Sequence, residues 1–302
     1  MNEPVLVLAG ATASGKTELA VELARSYRAE IVGADSRQVY RGMEIGTAAP
    51  SPEQRAAVPH HLIGFLAPDE RYSAARFAAD AVDAIVDIRR RGKRAIVTGG
   101  TGFYLRSLTG GVALAPQYDE ALRARLAHEA RLHPAEVLHD WLRTRDRKRA
   151  AAIEPRDTYR VLRALEIALA QPDARHGDLT PKTLAGQKIP YAVAFLELPQ
   201  AELDARIARR TQHMLAAGFV EEAERIGRDA VAASAVGYPQ AFAHLAGWST
   251  ADELRAGLER ATRRYARRQR AWFRGDAEAV WLPKDALHAF VRENLRWSAK
   301  PD

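Results

Sequence analysis

The sequence predicts an α/β fold, a mainly parallel sheet flanked by helices and interrupted by an all-helical insertion. Three observations carry that prediction. Four short, mainly apolar segments, the first of them a continuous apolar run, have the character of buried parallel strands. Helical patterns lie between them, and one long stretch shows no strand signal at all.

Pro4-Val-Leu-Val-Leu-Ala9 is the first such run, followed at once by Gly10-Ala-Thr-Ala-Ser-Gly15-Lys16-Thr17 and then by Glu18 to Arg25, whose apolar positions repeat at helical spacing. Ala29 to Ala34 reads as a second strand ending at Asp35-Ser36. A helical pattern over Ala74 to Arg91 leads into a third, Arg94 to Thr98, which ends in Gly99-Gly100-Thr101-Gly102. From about Tyr118 to Gln171 only helical patterns rich in Ala, Leu, Arg and Glu appear. A polar stretch from Pro172 to Gly186 closes them, and Tyr191 to Leu198 resumes the buried-strand pattern. The chain thus divides into a discontinuous core, residues 1–114 and 187–302, and a helical insertion, 115–186. From Gln200 the pattern is mostly helical to Arg274, with an apolar turn at Val280-Trp281-Leu282 and a last helix over 284–297.

The 302 residues carry a net charge of +7, and of the 45 basic residues 38 are Arg. Arginine suits bidentate phosphate recognition, although a GC-rich coding bias would give the same excess. The charge is local. Arg255, Arg260, Arg263, Arg264, Arg267, Arg268, Arg270 and Arg274 face only Glu259 within residues 255–274, interleaved with Tyr265, Trp272 and Phe273. Such a run needs an anion nearby and points to nucleic acid rather than a merely solvated face. The absence of Cys excludes disulfides, thiolate metal sites and cysteine nucleophiles. No apolar run approaches the roughly 18 residues of a membrane span, and nothing resembles a leader, so a cytoplasmic protein is expected, with no membrane partner. No exposed apolar repeat stands out, so a monomer is expected.

Gly10-x4-Gly15-Lys16-Thr17 between a strand and a helix is the strongest chemical signal. Its glycines let successive amides face one anion, Lys16 adds a point charge, and Thr17 offers a hydroxyl to Mg²⁺. This makes the core P-loop NTPase-like. Nucleotide hydrolysis normally adds an acidic residue at the end of another strand, yet Arg94 to Thr98 ends in glycines. Asp35 is the only strand-terminal acid in the N-terminal half, where open α/β sheets place their ligands, and it is the candidate general base. An N-cap or a ligand to Mg²⁺-bound water is the alternative for it. Ser36, Arg37 and Gln38 offer groups suited to a base edge or ribose, and Thr101 a hydroxyl. His60-His61 reads as structural, since adjacent side chains diverge and no third ligand stands at metal spacing.

Taken together, Gly10 to Thr17, Ala34-Asp-Ser-Arg-Gln-Val-Tyr-Arg-Gly42, Ile45-Gly-Thr-Ala48, Val58-Pro-His-His-Leu-Ile63 and Gly99-Gly-Thr-Gly-Phe-Tyr104 resemble the tRNA dimethylallyltransferase family. So do Asp157 to Glu166, Arg206 to Arg210, Met214 to Gly218, Val236 to Tyr238 and Thr262 to Gln269, in the family's order over nearly the whole chain. The resemblance implies transfer of a dimethylallyl group from its diphosphate to N6 of the adenosine 3′ of the anticodon, in tRNAs reading codons that start with U. Asp35, Thr101 and Arg210 would be catalytic. Gly10, Thr12, Ala13, Ser14, Gly15, Lys16 and Thr17 would bind the diphosphate, with Mg²⁺ at Thr17. Asp35 to Gln38, Thr101, Arg123, Tyr159, Arg160 and Arg163 would meet the tRNA anticodon stem-loop, joined by Arg263, Arg264, Arg267 and Arg268. Ala49, Gly64 and Pro239-Gln240 depart from the family pattern. The competing readings are a P-loop small-molecule or nucleoside kinase and an RNA-binding protein switched by a nucleotide.

Overall fold

The computed structural model describes residues 3–112, 119–170 and 182–299. The chain forms two compact units, Met1–Val112 with Pro181–Asp302, and Ala113–Thr180. The boundary expected near residue 114, and most of the polar stretch 172–186, lie outside the described residues. Leu184 and Ile189 are buried in the core of the larger unit, and the Leu184 amide donates to the Leu108 carbonyl at 2.7 Å.

The larger unit begins with β1 (Val5–Gly10), α1 (Lys16–Tyr27), β2 (Ala29–Gly33), α2 (Glu44–Thr47), α3 (Pro52–Ala57), β3 (His60–His61), α4 (Ala74–Arg90), β4 (Arg94–Gly99) and α5 (Gly102–Thr109). The smaller unit holds α6 (Glu120–Leu132), α7 (Ala135–Arg145), α8 (Arg147–Ala151) and α9 (Thr158–Leu169). Those helices close on Leu126, Leu138, Leu142, Val161 and Leu165, the inward positions of their amphipathic patterns. The larger unit then resumes with β5 (Tyr191–Leu196), α10 (Gln200–Ala216), α11 (Phe219–Ile226), α12 (Tyr238–Leu245), α13 (Ala251–Arg274), β6 (Ala279–Leu282) and α14 (Leu287–Asn294).

One six-stranded sheet runs in the order β3-β2-β4-β1-β5-β6, every neighbour parallel. All six residues of β1 and all five of β2 are buried, which explains the unbroken apolar run of β1 and leaves Glu30 the one charged residue of β2. α4 and α5 cover one face, where Phe77, Ala81, Val82, Ile85 and Leu108 pack on Val5, Val7 and Val97. α1 and α14 cover the other through Leu19, Leu23, Phe290 and Val291. Because the strands are parallel, the ends of β1, β2 and β4 emerge on one edge of the sheet. Residues 11–17, 34–38 and 100–101 therefore meet there, beside the point where the chain leaves β1 in one direction and returns as β5 on the other side.

Two strands differ from the sequence expectation. Val280-Trp281-Leu282, expected as a turn, lies within β6 and pairs in register with β5, Ala194 with Val280 and Phe195 with Trp281. Four residues on a half-exposed edge carry no period that would identify a strand. His60-His61 forms the opposite edge, pairing with Ile31 and Val32. His61 Nε2 lies 2.8 Å from the buried Glu30 carboxylate, which Lys93 (2.8 Å) and Arg91 also contact and which those cations hold well below the usual carboxylate range. His60 Nδ1 donates to the Val58 carbonyl at 2.7 Å. Among the described residues no group of three His, Cys, Asp or Glu side chains is placed to hold a metal, and no helix is long and apolar enough to cross a membrane.

Candidate active site

The glycine loop turns sharply into α1 because Gly15 sits at φ 88°, and Ala13 shares that left-handed region at φ 64°. Helix N-termini favour anions because their amides are unpaired and the dipole is positive. Here the cations converge on the same place. Arg210 Nη1 donates to Thr12 Oγ1 at 2.7 Å, and Arg206 Nη1 donates to the Ser14 carbonyl at 3.3 Å. Both arginines lie on α10 at i and i+4, which puts them on one face. Lys16 Nζ donates weakly to the Ala11 carbonyl at 3.4 Å.

Burial pushes the Lys16 ammonium down to about 8, with Asp35 opposing the fall and Arg210 adding to it. Burial likewise lowers Arg210. Two cations confined together, without enough counter-charge, are disfavoured in their charged forms. Ser14 Oγ and Arg210 Nε are also buried, with no hydrogen-bond partner among the described residues. A multiply charged anion would relieve all of these.

Asp35 follows β2, its Oδ1 accepting from the Arg37 amide at 2.9 Å. Asp35, Lys16, Thr17, Gln38, Thr98 and Gly99 line one cavity. Thr101 caps α5 without capping through its side chain; instead its Oγ1 accepts from the Ser36 amide at 3.0 Å. The residue after the candidate base is thereby tied to the candidate hydroxyl across 65 residues of sequence. Arg37 reaches Ser234 Oγ at 3.2 Å, and Gln38 Nε2 is engaged by the carbonyls of Thr47 and Ala48.

Two residues of the site are not legible in the sequence. Gln269, buried on α13, accepts from the Thr12 amide with Oε1 and donates to the Gly100 carbonyl with Nε2, both at 2.8 Å. One amide clamps both glycine turns, and its orientation is fixed because Thr12 can only donate and Gly100 only accept. Gly100 must be glycine, since a Cβ there would overlap the Gln269 amide. Tyr265, also on α13, hydrogen-bonds Thr101; burial pushes its phenol up to about 12, with Asp35 adding to the rise. In the sequence they stand only within the Thr262 to Gln269 block of the resemblance, as polar and aromatic character at helical spacing in an arginine-rich run, with nothing that assigns either a role. Gln269→Leu keeps the size but orphans two backbone groups, and is expected to cost about 1–3 kcal/mol per buried group, less for the more accessible Thr12. Urea unfolding checks this, and a midpoint equal to the wild type would remove the clamp.

α13 opens on a capping box, with Thr250 and Glu253 each bonded to the other's backbone. Leu254, Leu258, Ala266, Gln269 and Phe273 point inward. Arg260, Arg264, Arg267, Arg268 and Arg274 are exposed. Arg263 differs from its neighbours, held by Glu259 at 2.8 Å and Asp204 at 3.4 Å. Arg270 donates to Gln200 at 2.9 Å. In the smaller unit, Tyr159 and Arg160 are exposed at the start of α9, while Arg163 pairs with buried Glu166 at 2.7 Å and Arg123 is half-buried on α6.

The family model described as IPP transferase matches residues 38–276, and that described as isopentenyl transferase matches residues 3–60. A tRNA dimethylallyltransferase of Anaeromyxobacter dehalogenans is 46% identical over 92% of this chain and 94% of its own length. That of Geobacter sulfurreducens is 41% identical over 92% and 91%. The crystal structure of a tRNA isopentenylpyrophosphate transferase from Bacillus halodurans matches with a TM-score of 0.70 and 34% identity over 97% of both chains. A eukaryotic dimethylallyltransferase acting on tRNA, 24% identical over 96% of this chain and 76% of its own, shares the fold with a TM-score of 0.74. The P-loop NTPase-like core expected from the sequence agrees with these neighbours.

Proposed function

Since the chain belongs to the IPP transferase family and is therefore a tRNA-modifying prenyltransferase, we propose that it moves a dimethylallyl group from dimethylallyl diphosphate to N6 of the adenosine 3′ of the anticodon, in tRNAs reading codons that start with U. The observation that carries the site assignment is the meeting of an anion-seeking loop with Asp35 and Thr101 on one edge of the sheet.

Adenine N6 is a weak nucleophile because its lone pair is delocalised into the ring. Asp35 orients the amine and takes its proton as the N6–carbon bond forms, while the allylic carbon–oxygen bond breaks and diphosphate leaves. The loop amides of residues 13–17, Lys16 and Arg210 stabilise the charge gathering on the leaving group. Gly10 leaves room for the Ser14 hydroxyl, which a Cβ there would crowd, and Thr12 accepts from Arg210. Thr101 holds the Ser36 backbone against the reacting groups. Thr17 and Asp35 line the same cavity, a sparse oxygen donor set that suits Mg²⁺ carried in on substrate phosphates rather than a cation held by protein alone. Thr17 would hold it, and it would supply further charge neutralisation.

The adenine must leave its stack to reach this edge, at a cost of a few kcal/mol. The arginines of α13 offset that cost through the RNA backbone, with Arg123, Tyr159, Arg160 and Arg163 contributing from the smaller unit. Changing Arg264, Arg267 and Arg268 to Gln is expected to weaken tRNA binding and to flatten its salt dependence by about 0.7–0.9 in log–log slope for each phosphate no longer neutralised. Filter binding at several salt concentrations measures this; an unchanged slope would take the helix off the RNA. Arg263→Gln should change the slope least, because its charge is already met.

The reaction itself is tested by supplying unmodified tRNA and Mg²⁺ with labelled dimethylallyl diphosphate, and separately with labelled ATP. Label should enter tRNA only from the first. Transfer from ATP alone would favour a kinase, and binding of tRNA with no transfer a nucleotide-switched RNA-binding protein.

A further inference from the structure

α5 and α13 each turn one aromatic ring outward beside Thr101. On α5, Tyr104, Leu105 and Leu108 are buried in the core, yet Phe103 remains 48% exposed. On α13, Ala266, Gln269 and Phe273 face inward, yet Trp272 remains 36% exposed. Gly102 links the two residues. Its Cα lies against the indole so closely that a Cβ would overlap Trp272, and Phe103 is the next residue. The Arg106 guanidinium sits over the same indole, 4.7 Å from its centre. Gly102 and Arg106 are i,i+4 neighbours on one face of α5, so both meet the ring from that side and the exposed part of the indole is turned away from the core.

Isolated exposed apolar side chains need no explanation. Two large rings flanking the turn that carries a candidate catalytic hydroxyl are another matter, because exposure there costs the fold apolar burial. Their surroundings are cationic. Arg268 lies one turn before Trp272 on α13, and Arg267 and Arg264 continue the exposed basic face. Aromatic faces set among arginines match a flexible polyanion bearing flat rings, in which charge tracks the backbone and rings stack on bases. A protein partner would match the rings without needing the arginines.

We propose that Phe103 and Trp272 form a stacking surface for unpaired nucleobases flanking the reacting adenosine. This rests on the reading of the protein as a tRNA-modifying enzyme. Every base has a π face, so the surface contributes affinity and placement rather than sequence readout. It holds the loop open once the target base has left the stack, putting base–protein stacking where base–base stacking had been. Phe103 and Trp272 are positioning residues in this scheme, since neither touches the reacting atoms.

The test uses the full chain and an anticodon stem-loop carrying 2-aminopurine next to the reacting adenosine. Stacking on the rings is expected to quench the fluorophore on binding. Phe103→Ala and Phe103→Leu are both expected to raise Kd, by roughly 5- to 150-fold if one base stacks fully, while the salt slope stays at the wild-type value. Trp272→Phe, which keeps an aromatic ring against Gly102, should weaken binding less than Trp272→Leu; thermal melting of each variant checks that the fold survives. Unquenched 2-aminopurine together with a Phe103→Ala Kd within twofold of the wild type overturns the proposal, as does full rescue by Phe103→Leu, which would mean apolar packing only. Concentration-dependent sedimentation of the wild type that Phe103→Ala abolishes, with RNA binding unchanged, would assign the rings to self-association and overturn it too. Wild-type chain that transfers no prenyl group to tRNA would defeat the functional reading itself, an outcome separable from these.

Discussion

Asp35→Asn is expected to lower the single-turnover rate of prenyl transfer by roughly 10²–10⁴-fold, the range that general-base catalysis supplies, with the Kd values for diphosphate and tRNA within a few-fold of the wild type. The amide keeps the size and the acceptor that meets the Arg37 backbone, so the turn after β2 should survive. What it loses is the ability to take a proton from N6. Without that acceptor the amine must carry positive charge as the new bond forms, in a site already crowded with Lys16 and Arg210. Rapid-quench measurement on saturated enzyme isolates the chemical step. A rate near that of the wild type would remove Asp35 from proton transfer and leave it a structural or metal-water role.

Arg210→Ala should act on the other end of the reaction. Loss of one charged donor aimed at developing negative charge typically lowers kcat by about 10²–10³-fold. Here the loss is compounded, because Arg210 also fixes Thr12 Oγ1. The effect should appear in kcat more than in the KM for tRNA, since the guanidinium lies at the loop and not on the RNA face of α13. Arg210→Lys should recover only part of the rate, because an ammonium cannot hold Thr12 and a phosphate oxygen with the fixed fork that a guanidinium offers. An unchanged kcat with a raised KM for dimethylallyl diphosphate would mean that Arg210 serves ground-state binding alone.

These two residues differ in how they could be found. Asp35 is legible from the sequence because Ala29 to Ala34, apolar but for Glu30, reads as a strand, and the acid that ends such a strand stands at the sheet edge where ligands bind. Arg210 is one arginine among several on α10, and nothing in its spacing separates it from Arg209. Its place at the loop follows from the resemblance and from the packing of α10, not from local pattern. Arg206, one turn earlier, reaches the same loop through the Ser14 carbonyl, yet in the sequence it is legible only as part of a motif block. β6 is hidden for a related reason. Its strand character comes from register with β5 and from Trp281 lying on Phe195, with ring centres 4.1 Å apart, and four residues cannot advertise a partner nearly ninety residues away.

What the sequence by itself determined is local and periodic: the buried strands, the glycine loop opening α1, the acid after β2, the helical character of residues 119–170 and the cationic stretch of α13. Each is written in side chains whose chemistry acts within a few residues, through burial, capping or charge. What only the tertiary structure decided is which of these meet. Gln269 closes two glycine turns that lie 257 and 169 residues away. Thr101 ties to Ser36, and Arg263 is neutralised by Asp204 from another helix. Hydrogen bonds and ion pairs of this kind depend on distances of about 3 Å, and a chain fixes those only when its strands have set their register and its helices have packed on them.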